Sequence, residues 1–408
     1  MGLRLVRPRL RGGPRAGRED GRGAMKVTFL VPDLGWPIVG IAARMAKYLR
    51  PEHDVEIVGP SLWGSPNPMY SDEFAYRAVD CPRIYRFPEY FREVRKLSRA
   101  VQGDVILAMK AFGSNLPAAL LAKRERGCRV VAYLDEWDGA VAASWSWGER
   151  VKHWAKDWAH PCNNAHVPRV ERRLRECDVR LGTTRFLREK FDARIFHIGV
   201  EVDRFQPQDP AAVEALKQSL GLQGKKLVVF GGVVRPHKGV EAFAEALAAM
   251  GRADCLLLIL GPRSAYVQSM MEHPVYGKHI RCPATSAEEN LKIHHDMPLH
   301  LALGDVLIVP LADTVLSRSQ MPCKVFEAMA MGKPIVASAV SDLAEVLDGC
   351  GRLIEPDRPD RAAQALAELL DDPRGASQMG ARARARCMER YDAATSRRTL
   401  LALLDELR

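Results

Sequence analysis

The stretch Leu227-Val228-Val229-Phe230-Gly231-Gly232-Val233-Val234-Arg235-Pro236-His237-Lys238-Gly239 decides the fold. Its unbroken apolar opening reads as a strand buried on both faces, because a strand with one wet face alternates apolar and polar residues. Two glycines then allow a tight turn. Beyond Gly239, the residues Val240, Phe243, Leu247 and Met250 recur at helical spacing. Strand, turn and helix in that order predict a parallel sheet covered by helices. The pattern recurs downstream at Cys255–Leu260, Val306–Val309, Ile335–Ala337 and Arg352–Ile354. Upstream it recurs at Val27–Val31, Val55–Val58, Val105–Met109, Val130–Leu134, Val179–Thr183 and Arg194–Ile198. Helical patterns at Ile41–Leu49, Asn115–Lys123 and Val170–Glu176 separate several of these runs. Two α/β domains of Rossmann type follow, and Pro207 and Pro210 mark the join. We expect a first domain over 25–205, a second over 206–385, and a C-terminal helix, 386–408, packing back on the first. Domains paired in this way present their strands' carboxyl ends across a cleft, the default ligand site.

Composition excludes several function classes. An apolar share of 47% with 27% charged residues excludes a largely disordered chain. Nine cysteines without a C-x-x-C pair speak against a zinc ribbon or a secreted disulfide scaffold, and for a reducing, cytoplasmic setting. No run approaches the ~20 apolar residues of a membrane span. The formal net charge of +10 is unevenly spread: residues 1–24 hold seven arginines against Glu19 and Asp20, which is half of the excess. This Gly/Pro/Arg tail is expected to be disordered, with Met25 as the effective start. No aromatic-basic motif follows it, so no nucleic-acid partner is expected.

In the opening stretch, Gly231 and Gly232 let a ligand approach the backbone, while Arg235 and Lys238 suit two adjacent phosphates. The same residues also fit an ordinary turn with solvated bases. The second informative segment runs Gln320-Met321-Pro322-Cys323-Lys324-Val325-Phe326-Glu327-Ala328-Met329-Ala330-Met331-Gly332-Lys333-Pro334. Pro322 suits a first helical turn, and Glu327, among apolar neighbours, is placed to accept hydrogen bonds from both hydroxyls of a ribose. In the first domain, Asp135, Glu136 and Asp138 follow the strand Val130–Leu134. Gly35 and Trp36 lie in the loop after Val27–Val31. His294-His295-Asp296 sits on a helical pattern whose adjacent side chains diverge, which reads as structural or surface, and no metal site is expected. Trp147, Val151, Trp154 and Trp158 follow helical spacing beside Arg150, Lys152 and Lys156. Such a stripe suits either an anionic membrane surface or the domain's own core. The segment Arg86–Leu97 carries a similar mixture.

The pair "G…R-P-H-K-G" and "P-x-K-x-x-E-A-M-A-x-G-K-P-I-V-A-S" resembles the donor half of family 4 retaining glycosyltransferases, which have the two-domain GT-B fold. Gly199–Pro207, Ala302–Val306 and Ser341–Val346 add to the likeness, which spans roughly 195–360. In the first domain only topology and Asp104–Lys110 resemble the family. The resemblance implies transfer of a hexose from a nucleotide-diphosphate sugar to a glycan or lipid-linked acceptor, without metal or cofactor, as in the making of cell-envelope polysaccharide. It implies Arg235 and Lys238 on the diphosphate, Glu327 on the ribose, and Gly231, Gly232, Gln320, Met321, Pro322 and Lys324 around the donor. Asp135 stands where related enzymes often have a histidine and joins the catalytic set; Gly35, Trp36 and Glu136 form the acceptor side. A lipid-linked acceptor would put the protein peripherally at the inner membrane face, through Trp147, Trp154 and Trp158. The chain departs from the pattern at Ser319, where many members have a second glutamate, and at Val233, where many have arginine. A nucleotide-sugar epimerase of the same fold and a non-catalytic nucleotide-sugar-binding protein are the alternatives.

Overall fold

The computed structural model describes residues 23–62, 74 and 76–408. They divide into two compact units: one runs through Ile198 and resumes over Ser396–Arg408, and the other is Gly199–Thr395. The first unit contains strands β1 (Lys26–Leu30), β2 (Asp54–Pro60), β3 (Tyr76–Val79), β4 (Val105–Met109), β5 (Arg129–Leu134), β6 (Val179–Gly182) and β7 (Arg194–Ile195). Among the described residues these make one seven-stranded sheet in the order β3-β2-β1-β4-β5-β6-β7, parallel throughout. The second unit contains β8 (Lys226–Gly231), β9 (Cys255–Leu260), β10 (Ile280–Arg281), β11 (Val306–Val309), β12 (Ile335–Ser338) and β13 (Arg352–Ile354). Its described strands form a six-stranded parallel sheet in the order β10-β9-β8-β11-β12-β13.

Strand periodicity explains the unbroken apolar runs. Leu227 and Val229 face a cluster with Leu258 and Phe326, under the helix Lys324–Ala330. Val228 and Phe230 face the other way, into Phe243 and Leu366 of the helices Val240–Met250 and Pro359–Asp371. Both faces are dry, and each large aliphatic side chain buried there contributes about 2 kcal/mol. In each sheet the chain winds outward from a central strand, then returns to that strand's other side, at β4 and at β11. The carboxyl ends of β1/β4 and of β8/β11 are therefore the switch points where connecting loops diverge and leave a crevice.

Three sequence expectations need correction. Strands β3 and β10 are absent from the apolar runs: Tyr76–Val79 has a single buried residue and Ile280–Arg281 is two residues long with one. The division between units falls at Ile198/Gly199 and Thr395/Ser396, not at 205/206 and 386. Val200, Val202, Phe205 and Cys387 pack into the second unit's apolar cluster, so burial and not the proline pair sets the limit. A Cβ on Gly199 would lie 2.4 Å from the Asp392 carbonyl, which shows how close the two segments run. Finally, the expected helix 386–408 is two helices, Pro373–Arg390 and Ala393–Glu406. Leu400, Leu403 and Leu404 of the latter are buried, and Ser396 Oγ donates to the His197 carbonyl at 2.9 Å within the first unit. The basic tail falls, for residues 1–22, outside the described residues.

The junction of β1 and β4 is tied by Asn115, which is fully buried. Its amide donates to the carbonyls of Leu30 (3.2 Å), Met109 (2.7 Å) and Lys110 (3.2 Å), and its Oδ1 accepts from the Phe112 N–H at 3.1 Å. Asn115→Ala strands these buried groups and is expected to destabilise the first unit by about 2 kcal/mol. A lowered urea midpoint with unchanged slope is the measurement that checks it.

Candidate active site

The switch point of the second unit gathers the donor-side residues named from sequence. After β8 the backbone turns at Gly232, whose φ of +135° only glycine adopts without strain. A 3-10 turn, Pro236–Lys238, follows and ends at Gly239, also at positive φ (+64°), before the helix Val240–Met250. This turn rests on the loop after β11: the Ala312 N–H and Ser317 Oγ both donate to the His237 carbonyl at 3.1 Å. Lys238 Nζ donates to Gln320 Oε1 and closes the turn onto the segment that leads into the helix Lys324–Ala330. From that helix Lys324 reaches back over the glycines, its Cε 3.7 Å from where a Gly232 Cβ would sit. Lys324 Nζ also pairs with Glu327 Oε2 at 3.0 Å. Glu327 is only 1% exposed, so a carboxylate is held in the unit's interior with a lysine beside it.

Lys238, Lys324, Gln320, Glu327, Gly231 and Gly232 thus form one connected constellation. Arg235 stands exposed on the same turn, its carbonyl accepting from the Lys238 N–H at 2.8 Å. Pro322 is half-buried just ahead of the helix, which starts at Lys324, two residues later than the proline suggested. The Met321 side chain packs into the apolar cluster, so only its backbone faces outward chemistry. Ser319 is buried and its hydroxyl donates to the Leu316 carbonyl at 2.7 Å. Sequence reading missed Gly261, just after β9. A Cβ there would lie 2.1 Å from the Gly232 carbonyl oxygen, so the glycine turn needs a second glycine behind it.

The first unit's switch point carries a different chemistry. Asp33 is buried, and its carboxylate accepts from the N–H groups of Gly35 and Leu62, both at 2.7 Å, fixing the loop that holds Gly35. Trp36 packs edge-on against Phe112 with ring centroids 4.9 Å apart. Next to them Lys110, missed from sequence, is the hub of the acidic cluster. Its Nζ lies 2.9 Å from Asp135 Oδ1, 2.9 Å from Glu136 Oε1 and 2.8 Å from Asp138 Oδ1. The signal for it was a lone lysine ending a wholly apolar strand. Burial alone would depress the Lys110 ammonium, but the three carboxylates outweigh it and hold it well above the usual lysine range. One cation cannot neutralise three anions. Burial therefore raises the Asp135 carboxyl, and it pushes Asp138 up to about 7, with Asp135 adding to the rise against Lys110.

The tryptophan stripe does not pack into the domain's core. The helix Trp147–Asp157 has no buried residue, and Trp147, Trp154 and Trp158 are exposed. The segment 86–97 does pack inward, through Tyr90, Val94 and Leu97 of the helix Tyr90–Ala100. No helix among the described residues is long and apolar enough to cross a membrane.

Comparison with known proteins supports the same architecture. The family described as Glycosyl transferases group 1 matches residues 224–372, within the second unit. A GDP-mannose-dependent alpha-(1-6)-phosphatidylinositol monomannoside mannosyltransferase of Mycolicibacterium smegmatis is 26% identical over 378 residues, 86% of this chain and 90% of the relative. An alpha-D-kanosaminyltransferase of Streptomyces kanamyceticus is 29% identical over 177 residues, 42% of this chain and 43% of its own. Among solved structures, Anabaena HepE in complex with UDP superposes with a TM-score of 0.72 at 16% identity, covering 94% of this chain and all (100%) of that one. Sucrose-phosphate synthase from Thermosynechococcus elongatus gives 0.70 at 15% identity, over 94% of this chain and 99% of that one.

The acidic cluster makes stability depend on pH. With its folded pKa near 7 against an ordinary 3.8, Asp138 keeps a proton in the folded state that the unfolded chain has shed. Its contribution is present at low pH and lost as pH rises through about 7. Asp138→Asn is expected to shrink the difference between urea midpoints measured on either side of that range, and an unshrunk difference would contradict the assignment.

Proposed function

Starting from a glycosyltransferase of the GT-B fold, which these likenesses make the chain, we propose that it transfers a hexose with retention from a nucleotide-diphosphate sugar to a glycan or lipid-linked acceptor, without a metal ion. The observation that supports this reading is the constellation at the β8/β11 switch point, where Lys238, Lys324 and the buried carboxylate of Glu327 are linked at a glycine turn that also carries the exposed Arg235. Arg235, Lys238 and Lys324 supply positive charge for a diphosphate, and Gly231 and Gly232 let it approach the backbone. Glu327, oriented by Lys324, accepts from the ribose hydroxyls. Gln320, held by Lys238, and the turn Met321–Pro322 face the remainder of the donor. As the sugar–phosphate bond breaks, negative charge grows on the departing diphosphate, and fixed cations stabilise it without reorganisation. The rate advantage so obtained needs no divalent ion.

On the first unit, Gly35, Trp36 and Glu136 form the acceptor side. Asp135, held beside Lys110, is the carboxylate placed to accept from a sugar hydroxyl. GDP-mannose is the donor to test first, because the M. smegmatis relative and others of its kind carry that sugar in their names. A lipid-linked acceptor would put the protein at the inner face of a membrane.

Calorimetry with GDP and UDP tests the site. Lys238→Ala is expected to weaken nucleoside-diphosphate binding at least about tenfold, equivalent to about 1.4 kcal/mol. Glu327→Gln is expected to weaken nucleotides but leave inorganic pyrophosphate unchanged; equal losses for both would remove Glu327 from the ribose. Turnover of GDP-mannose only with acceptor, an unchanged anomeric configuration in the product, and full activity in chelator are the expected results. Turnover without acceptor would turn the reading to an epimerase, and saturable binding without turnover to a non-catalytic protein.

A further inference from the structure

Between β5 and β6 the chain leaves the first unit's sheet for an excursion that the donor chemistry does not use. Its helix Trp147–Asp157 begins with a capping box, in which Ser146 and Glu149 satisfy each other's N–H groups, so it is a deliberate element and not a frayed loop. Yet it buries nothing. Trp147 (81% exposed), Val151 (47%), Trp154 (56%) and Trp158 (59%) line one face in solvent. Large exposed apolar rows of this kind mark interaction surfaces.

Beneath the helix runs a groove of about 580 Å³, with walls that include Trp137, Ala142, Trp145, Val151, Trp154 and Pro168. A second groove of about 510 Å³ shares Pro168, Glu171 and Lys190 with the first, and is lined by Arg172, Arg175 and Arg180 together with Glu189 and Asp192. Lys190 marks the join, its Nζ 3.8 Å from the centroid of the Trp137 ring. Glu171 offsets Lys190 at that join, which leaves the positive charge of the second groove to its arginines. Its carboxylate is engaged by Trp137 Nε1 (3.1 Å) and the Gly139 N–H (2.9 Å). Arg180 is held by Asp192 at 2.7 Å, while Arg172 and Arg175 are exposed. Residues 145–175 carry seven Arg and Lys against three Asp and Glu.

We propose that this pair of grooves binds an anionic phospholipid of a bilayer surface. One acyl chain lies along the Trp137–Trp154 groove, and the phosphate meets Arg172, Arg175 and Lys190. Trp147 and Trp158 sit at the headgroup boundary, where indoles are favoured. The occupant follows from complementarity: an apolar trough opening onto one where Arg172 and Arg175 stand exposed fits a molecule with a hydrocarbon chain joined to an anion. A free sugar or a soluble nucleotide would leave the indole-lined trough unfilled. The proposal does not rest on the donor assignment, because binding is read with no nucleotide sugar present.

Flotation of the full chain with vesicles of phosphatidylcholine alone, and of phosphatidylcholine mixed with phosphatidylglycerol, is the test. About tenfold more protein is expected on the mixed vesicles. The arginines of residues 1–24 attract anionic vesicles in every variant alike, so the change on substitution is what counts. Val151→Ser/Trp154→Ser and Arg172→Gln/Arg175→Gln are each expected to lower flotation at least about fivefold at an unchanged melting temperature. Should the tryptophan variant fail to fold, the exposed arginine pair carries the test. Phosphatidylglycerol with brominated chains is expected to quench the groove indoles. Equal flotation on both vesicle types, undiminished flotation of the arginine variant, or absence of quenching would overturn the proposal. So would a dimer in solution abolished by Val151→Ser/Trp154→Ser, which would give the row to a second copy of the chain.

Discussion

One hydrogen bond joins residues 82 positions apart in sequence: Lys238 Nζ to Gln320 Oε1. Together with the Ala312 N–H and Ser317 Oγ, which both donate to the His237 carbonyl, it ties the glycine turn after β8 to the segment entering the helix Lys324–Ala330. The lysine that makes this bond is also one of the charges of the turn. The bond is available because both segments emerge at carboxyl ends of adjacent strands, β8 and β11, where the sheet's winding reverses. A sheet dry on both faces leaves polar groups no other place to gather, so its chemistry collects at its rim.

The two units solve this constraint with opposite charge. The second brings Lys238 and Lys324 to a glycine turn on which Arg235 stands exposed. The first surrounds a single buried lysine with three carboxylates and stays negative even so. Such a cluster offers acceptors for hydroxyl groups, and its excess charge is what lifts a carboxyl towards neutrality.

Legibility tracked burial. Apolar runs such as Cys255–Leu260 and Val306–Val309 match their strands to the residue, because full burial on two faces leaves no other composition open. Tyr76–Val79 and Ile280–Arg281 each bury a single residue, so they carry no such pattern. The motif residues of the second unit were legible for a similar reason: glycines at forced backbone angles and a carboxylate among apolar neighbours are costly unless used. Gly261 was not, since its constraint is the Gly232 carbonyl, which lies in another loop.

By itself, then, the amino-acid order settled two parallel α/β units, the strands at their centres and the glycines of the turn after β8, because local periodicity and backbone permissiveness are properties of neighbouring residues. Only the tertiary structure decided that Lys110 sits among Asp135, Glu136 and Asp138, that Ser319 turns inward, that the tryptophan helix faces solvent, and that the units divide at Gly199 and Ser396. Each of these depends on which distant side chain arrives to share a proton or exclude water, and no spacing along the chain carries that information.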